Sequence, residues 1–171
     1  MKYIIVLALF ITTLFAFGEK IQSFEADFTQ VITDEENKTL TYKGKLYSKR
    51  PSLVMWHYTA PINKKIYVQD SRVIILEPEL EQAIIKRLER EIDFFEILSS
   101  AKKSDDTHYK TSYKGIDFTL KETKGMIESL VYVDQLENSV KIIFSQQKQN
   151  HPIDMSVFEP KIPLDFDVIQ E

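Results

Sequence analysis

The stretch Gly44-Lys45-Leu46-Tyr47-Ser48-Lys49-Arg50-Pro51-Ser52-Leu53-Val54-Met55-Trp56-His57-Tyr58 contains two alternating runs on either side of one proline. Before it, Tyr42, Gly44 and Leu46 fall on one face, and Lys43, Lys45 and Tyr47 on the other. After it, Val54, Trp56 and Tyr58 share a face opposite Leu53, Met55 and His57. A period of two residues is that of a strand. Proline lacks the N–H that a central ladder requires, so Pro51 ends the strand Thr39–Ser48 and lets Leu53–Thr59 begin.

The same period recurs outward in both directions. Phe24, Ala26 and Phe28 alternate with Glu25, Asp27 and Thr29, and the polar run 33–37 reads as a turn. Lys65–Gln69 and Arg72–Glu77 flank Asp70-Ser71; Tyr109–Tyr113, Ile116–Glu122, Glu128–Val133 and Ser139–Gln146 follow, separated by Lys114-Gly115, Lys124-Gly125 and the run 134–138. Met155–Phe158 ends the regular series. Many short strands at even spacing indicate a mainly β fold, a barrel or a strongly curved antiparallel sheet. The segment Glu79–Ala101 departs from this: it lacks Gly and Pro and is rich in Leu, Glu, Lys and Arg, so propensity favours helix. Ile92–Ala101 is the firmer helix, apolar over a wide arc, and it needs a concave apolar surface to cover. Glu81–Leu88 reads as either helix or strand. Glu77, Glu79 and Glu81 alternate and are expected on a solvated strand face.

The first eighteen residues have the order of a secretory leader: Met1-Lys2-Tyr3, an apolar run Ile4–Phe17, then Ala16-Phe17-Gly18 with small residues at the positions a signal peptidase reads. Removal after Gly18 would leave one domain, Glu19–Glu171. An uncleaved anchor is the alternative, although the run is shorter than the ~20 apolar residues of a spanning helix. The chain has no cysteine. That excludes a thiol nucleophile, a Cys-ligated metal and lipidation at cysteine, and leaves stability to packing. The net charge is −4, mixed along the chain, and one unit more negative without Lys2. No nucleic-acid footprint is present.

Catalytic patterns are missing. His57, His108 and His151 are far apart and not at a metal-ligand spacing. There is no G-x-S-x-G elbow and no Gly-rich phosphate loop. An ester hydrolase would need a nucleophile, base and oxyanion donors in one cleft, and the sequence places none. Neither metal nor cofactor is implied. Arg50 could be a surface side chain flanking a strand or a donor of up to five hydrogen bonds to carbonyls. With eleven Phe and eight Tyr, the apolar interior could be a filled core or a cavity.

The order of motifs resembles one family. Phe24-Glu25-Ala26-Asp27-Phe28-Thr29-Gln30 is similar to the F-x-A-x-F-x-Q start of the LolA family of lipoprotein carriers. The stretch from Gly44 to Pro51, followed by Trp56 and Tyr58, is similar to its G-x-L-x-x-x-R-P-x-x-x-x-W-x-Y signature, and Pro61 and the run 77–82 to the x-P-x-L-x-Q that follows. Ile92–Ala101 matches its apolar lid helix; Asp134, Ile142-Ile143-Phe144, Phe158, Pro160 and Asp167-Val168 come in the family's order. The family's N-terminal lid helix is shortened here to Glu19–Ser23.

The resemblance implies an incomplete β-barrel whose apolar cavity is covered by a helical lid, and a periplasmic chaperone. Such a chaperone takes triacylated lipoproteins from a lipoprotein-releasing ABC transporter of the inner membrane to the outer membrane, where an acceptor is left open. A monomer is expected. Arg50 takes the part of lid latch. Phe28, Leu46, Val54, Trp56, Tyr58, Phe94, Phe95 and Leu98 are expected around the acyl chains. A glycolipid carrier or lipoprotein sensor on the same fold is the alternative.

Overall fold

A computed structural model describes residues 17–87 and 94–170. Twelve strands form one sheet: β1 (Ser23–Thr33), β2 (Thr39–Lys49), β3 (Leu53–Ala60), β4 (Lys64–Gln69), β5 (Arg72–Glu77), β6 (Gln82–Arg87), β7 (Lys102–Lys103), β8 (His108–Tyr113), β9 (Ile116–Thr123), β10 (Met126–Val133), β11 (Ser139–Gln149) and β12 (Asp167–Gln170). Their spatial order is β12-β6-β5-β4-β3-β2-β1-β11-β10-β9-β8-β7. Neighbours are antiparallel except β12 on β6, which is parallel. Among the described residues β7 and β12 each have one neighbour, so the barrel stays open. The incomplete barrel expected from the sequence is the fold observed.

Two cores lie on opposite faces of this sheet. The inner one gathers Phe24, Phe28 and Leu46 with Phe118, Leu120, Leu130, Ile142 and Phe144. Among the described residues a single α-helix, α1 (Phe94–Ser100), packs onto it through Phe94, Phe95, Ile97 and Leu98. The outer one joins Met55, Tyr67, Ile74, Leu76 and Ala83 to Ile153 and Phe158 of the C-terminal segment. Alternation along β3 sends Val54 to the inner core and Met55 to the outer. Met55 therefore lies under the chain's own tail.

The structure revises several expectations. Gln82–Arg87 is a strand, despite its helical propensity, because it hydrogen-bonds between β5 and β12. Leu88, the end of the ambiguous segment, and Ile92, the expected start of the lid helix, lie outside the described residues. Pro78–Leu80 forms a 3-10 turn and Glu81 takes φ 51°, so Glu77, Glu79 and Glu81 do not share a strand face. Met155–Phe158 is a 3-10 turn, started by Asp154 accepting from the Ser156 N–H. β7 and β12 were not anticipated. A 3-10 turn, Phe17–Lys20, precedes the first strand where the shortened lid helix was expected.

Candidate lipid-binding cavity

The sheet folds α1 over its concave face and leaves a hollow between them. This cavity measures about 330 Å³. β3 contributes Val54, Trp56 and Tyr58; β4 contributes Ile66 and Val68; β5 contributes Val73. Phe94 and Ile97 come from α1, Phe118 from β9, Leu130 and Tyr132 from β10, Ile142 from β11 and Gln30 from β1. All the strand residues named occupy inward positions of their strands. The surface is apolar apart from Gln30, Tyr58 and Tyr132.

Four of the eight residues expected around an acyl chain line this hollow: Val54, Trp56, Tyr58 and Phe94. The other four do not. Phe28 meets Trp56 and Tyr58 edge-on, at 5.0 and 5.1 Å between ring centres, and is almost fully buried behind them. Leu46, Phe95 and Leu98 are likewise buried in solid packing. They build the wall, because the neighbouring strands and α1 close over them. Sequence reading missed Gln30, Ile66, Val68, Val73, Ile97, Phe118, Leu130, Tyr132 and Ile142. Their signal was the inward parity of each strand, but parity does not tell packed positions from void-facing ones.

Arg50 does not line the hollow; it lies between the N-terminal turn and α1. Its backbone N–H donates to the Gln22 carbonyl at 3.0 Å. Its side chain donates from Nε to the Ile21 carbonyl at 2.9 Å, and from Nη2 to the Gly18 carbonyl at 3.1 Å and the Ser99 hydroxyl at 2.7 Å. The guanidinium also lies 4.7 Å from the centre of the Phe95 ring. One side chain thus ties the N-terminal turn to α1. Gly18 has no room for a Cβ against the Leu98 backbone, so the two lid elements are in intimate contact. Among the described residues no carboxylate pairs with Arg50; every acceptor is neutral. Hydrogen bonds from a charged donor to such acceptors contribute about 1.5–3 kcal/mol, a strength that permits reversible opening.

Burial raises the Tyr58 phenol well above its ordinary value, with Tyr132 and Tyr42 adding to it. Burial, then Asp134, raises Tyr132 also. Both therefore face the cavity as neutral hydroxyls. His57 is on the outer face, lowered by burial and by Lys65. Among the described residues no cluster of His, Cys, Asp or Glu could hold a metal ion. A wider hollow of about 690 Å³ beside Ser100, Lys102 and Lys110 shares Phe118 with the cavity, but it is more open and more polar, and suits an acyl chain less.

Comparison with known proteins agrees with this geometry. Residues 19–161 match the family model described as outer membrane lipoprotein carrier protein LolA. The chain is 39% identical over 153 residues to an outer-membrane lipoprotein carrier protein of Helicobacter hepaticus, covering 89% of this chain and 86% of the relative. It is 32% identical to the protein of the same description from Campylobacter jejuni, over 99% of each. Among solved structures, a LolA superfamily protein from Nitrosomonas europaea superposes with a TM-score of 0.52 at 10% identity, over 82% of this chain and 91% of the other, a likeness of fold alone. The match of the family model across most of the chain, and relatives above 30% identity over nearly their full length, show that this chain belongs to the LolA family of outer membrane lipoprotein carrier proteins.

Proposed function

We propose that this chain is a periplasmic carrier that shields the acyl chains of lipoproteins on their way from the inner to the outer membrane. The observation that supports it best is the apolar cavity under α1, a helix that a guanidinium with neutral acceptors among the described residues ties to the N-terminal turn. Burial of each acyl methylene stabilises by ~0.8 kcal/mol, so one chain resists water by on the order of 10 kcal/mol. A carrier must cover that surface and still release it. At about 330 Å³ the hollow is at the small end of ligand cavities, so cargo requires α1 and the N-terminal turn to separate. Arg50 then acts as a latch for the empty state. A closed-state preference of about 1.4 kcal/mol weakens apparent affinity roughly tenfold, which favours handover without any bond being made or broken.

In this reading the leader is removed after Gly18, a transporter in the inner membrane supplies the cargo, and a membrane or receptor downstream accepts it. Among the described residues no helix is long and apolar enough to cross a membrane. After processing at that point Arg50 keeps Ile21 and Ser99 as acceptors, and the intact mass of the exported protein checks the site. The function is tested with membrane vesicles that hold a lipoprotein and its releasing transporter. The wild-type chain should bring lipoprotein into the soluble fraction and pass it to acceptor membranes. Arg50→Leu should accept cargo and retain it. Normal handover by Arg50→Leu overturns the latch; no soluble lipoprotein with the wild type overturns the carrier.

A further inference from the structure

Gln30 ends the F-x-A-x-F-x-Q run, and an acyl-chain carrier gives no evident reason for an amide there. It is only 8% exposed and faces the cavity. Its Oε1 accepts from the Tyr58 hydroxyl at 3.0 Å. With the amide in this orientation the NH2 group turns outward from the pair. Among the described residues neither this NH2 group nor the Tyr132 hydroxyl has a hydrogen-bonding partner. Both donors open onto the cavity, where water can satisfy them while it is empty. A ligand that fills the cavity expels that water, so it must bring an acceptor if both groups are to stay satisfied.

Strand register puts these groups on successive inward rungs of one band: Gln30 on β1 is level with Ile142 on β11 and Leu130 on β10, and Tyr132 is two residues further along β10, opposite Val140. Gln30, Tyr58 and Tyr132 all line the same cavity. The band lies away from the lid: the Phe94 ring of α1 is 5.2 Å from that of Phe24, which is level with Val54 across β2, and Tyr58 is four residues further along β3, roughly 13 Å from Val54. Lys64 closes this end, its ammonium 5.0 Å from the Tyr58 ring centre and 5.8 Å from that of Tyr42. The cavity has an apolar end under α1 and a donor-bearing end beside the β1–β2 and β3–β4 turns.

We infer that Gln30 and Tyr132 form a subsite for the carbonyl groups that join acyl chains to their headgroup, so that cargo enters with its tails toward α1 and its linkages at the Gln30 end. The inference rests on the carrier reading and adds polarity to it. An ester or amide carbonyl drawn into the cavity loses its water. Gln30 Nε2 and the Tyr132 hydroxyl replace that water without ordering new groups, since Tyr58 and the Phe118 ring, 5.1 Å from that of Tyr132, already hold them. The ligand class is thus O-acyl or N-acyl lipid, in preference to alkyl chains joined by ethers.

The test measures binding of two probes to the purified mature chain. One is a peptide whose N-terminal cysteine carries a dipalmitoylglyceryl thioether; the other has both esters replaced by ethers. Tyr132→Phe keeps the ring packing, and Gln30→Leu combined with Tyr58→Phe leaves no orphaned hydroxyl. The wild type should favour the ester probe by about tenfold, falling to about threefold in either variant and disappearing when all three changes are combined. Equal binding of both probes by the wild type, or an undiminished preference in the variants, overturns the subsite. Failure of both probes to bind overturns the carrier reading instead.

Discussion

Gly44 shows how much one residue can decide in this fold. A Cβ there would run into the His57 carbonyl and come within 2.9 Å of the Phe28 ring, where the β2–β3 register shifts between Lys43 and Gly44. Gly44→Ala should lower stability by about 1–3 kcal/mol through backbone crowding, read as a fall in the thermal midpoint; an unchanged midpoint would show that β2 can move away. Tyr58 and Tyr132 give a second prediction. Their folded pKa values are raised, so at neutral pH they are uncharged in both states and add no pH dependence. Above about pH 10 the unfolded chain loses its phenolic protons first, and stability should fall as pH rises. The urea midpoint should decline less steeply in Tyr132→Phe; an identical slope would clear that residue.

At the scale of the element, the described part of α1 is seven residues long. Isolated helices shorter than ~12–15 residues are marginal in water, so α1 exists through what it covers. Four of its side chains are buried, and burying each contributes about 1.5–3 kcal/mol. Ser99 adds a bond to Arg50 from the lid side. Ser99→Ala should raise amide hydrogen exchange across 94–100 by about tenfold with little change in global stability, because it loosens the lid and spares the core. If exchange there is unaltered, Arg50 acts mainly through the N-terminal turn. The strand β6 shows the opposite balance: its residues favour helix, but pairing to β5 and β12 prevails. Periodicity read the other long strands because their inward and outward faces differ in polarity; both faces of β6 are partly covered.

At the scale of the whole molecule, the two cores separate stability from binding. Phe158 is nearly fully buried in the outer cluster, on the far side of the sheet from the cavity. Phe158→Ala should cost about 3–5 kcal/mol, yet lipid binding measured below the new midpoint should match the wild type. Lost binding at temperatures where the variant is folded would mean that the outer core shapes the cavity.

The sequence by itself determined the β class, the parity of β1, β2 and β3, the place of the lid helix and the residue beside Pro51. These follow from periods of two and 3.6 residues and from proline's missing N–H, all local properties. The tertiary structure alone decided that β12 adds in parallel to β6, that Phe28, Leu46, Phe95 and Leu98 fill space, and that Gln30 and Tyr132 border a void. It also gave Arg50 its acceptors, which lie 29 to 49 residues away along the chain. Whether an inward side chain packs or lines a cavity depends on the sum of volumes across several strands, and no single strand's pattern contains that sum.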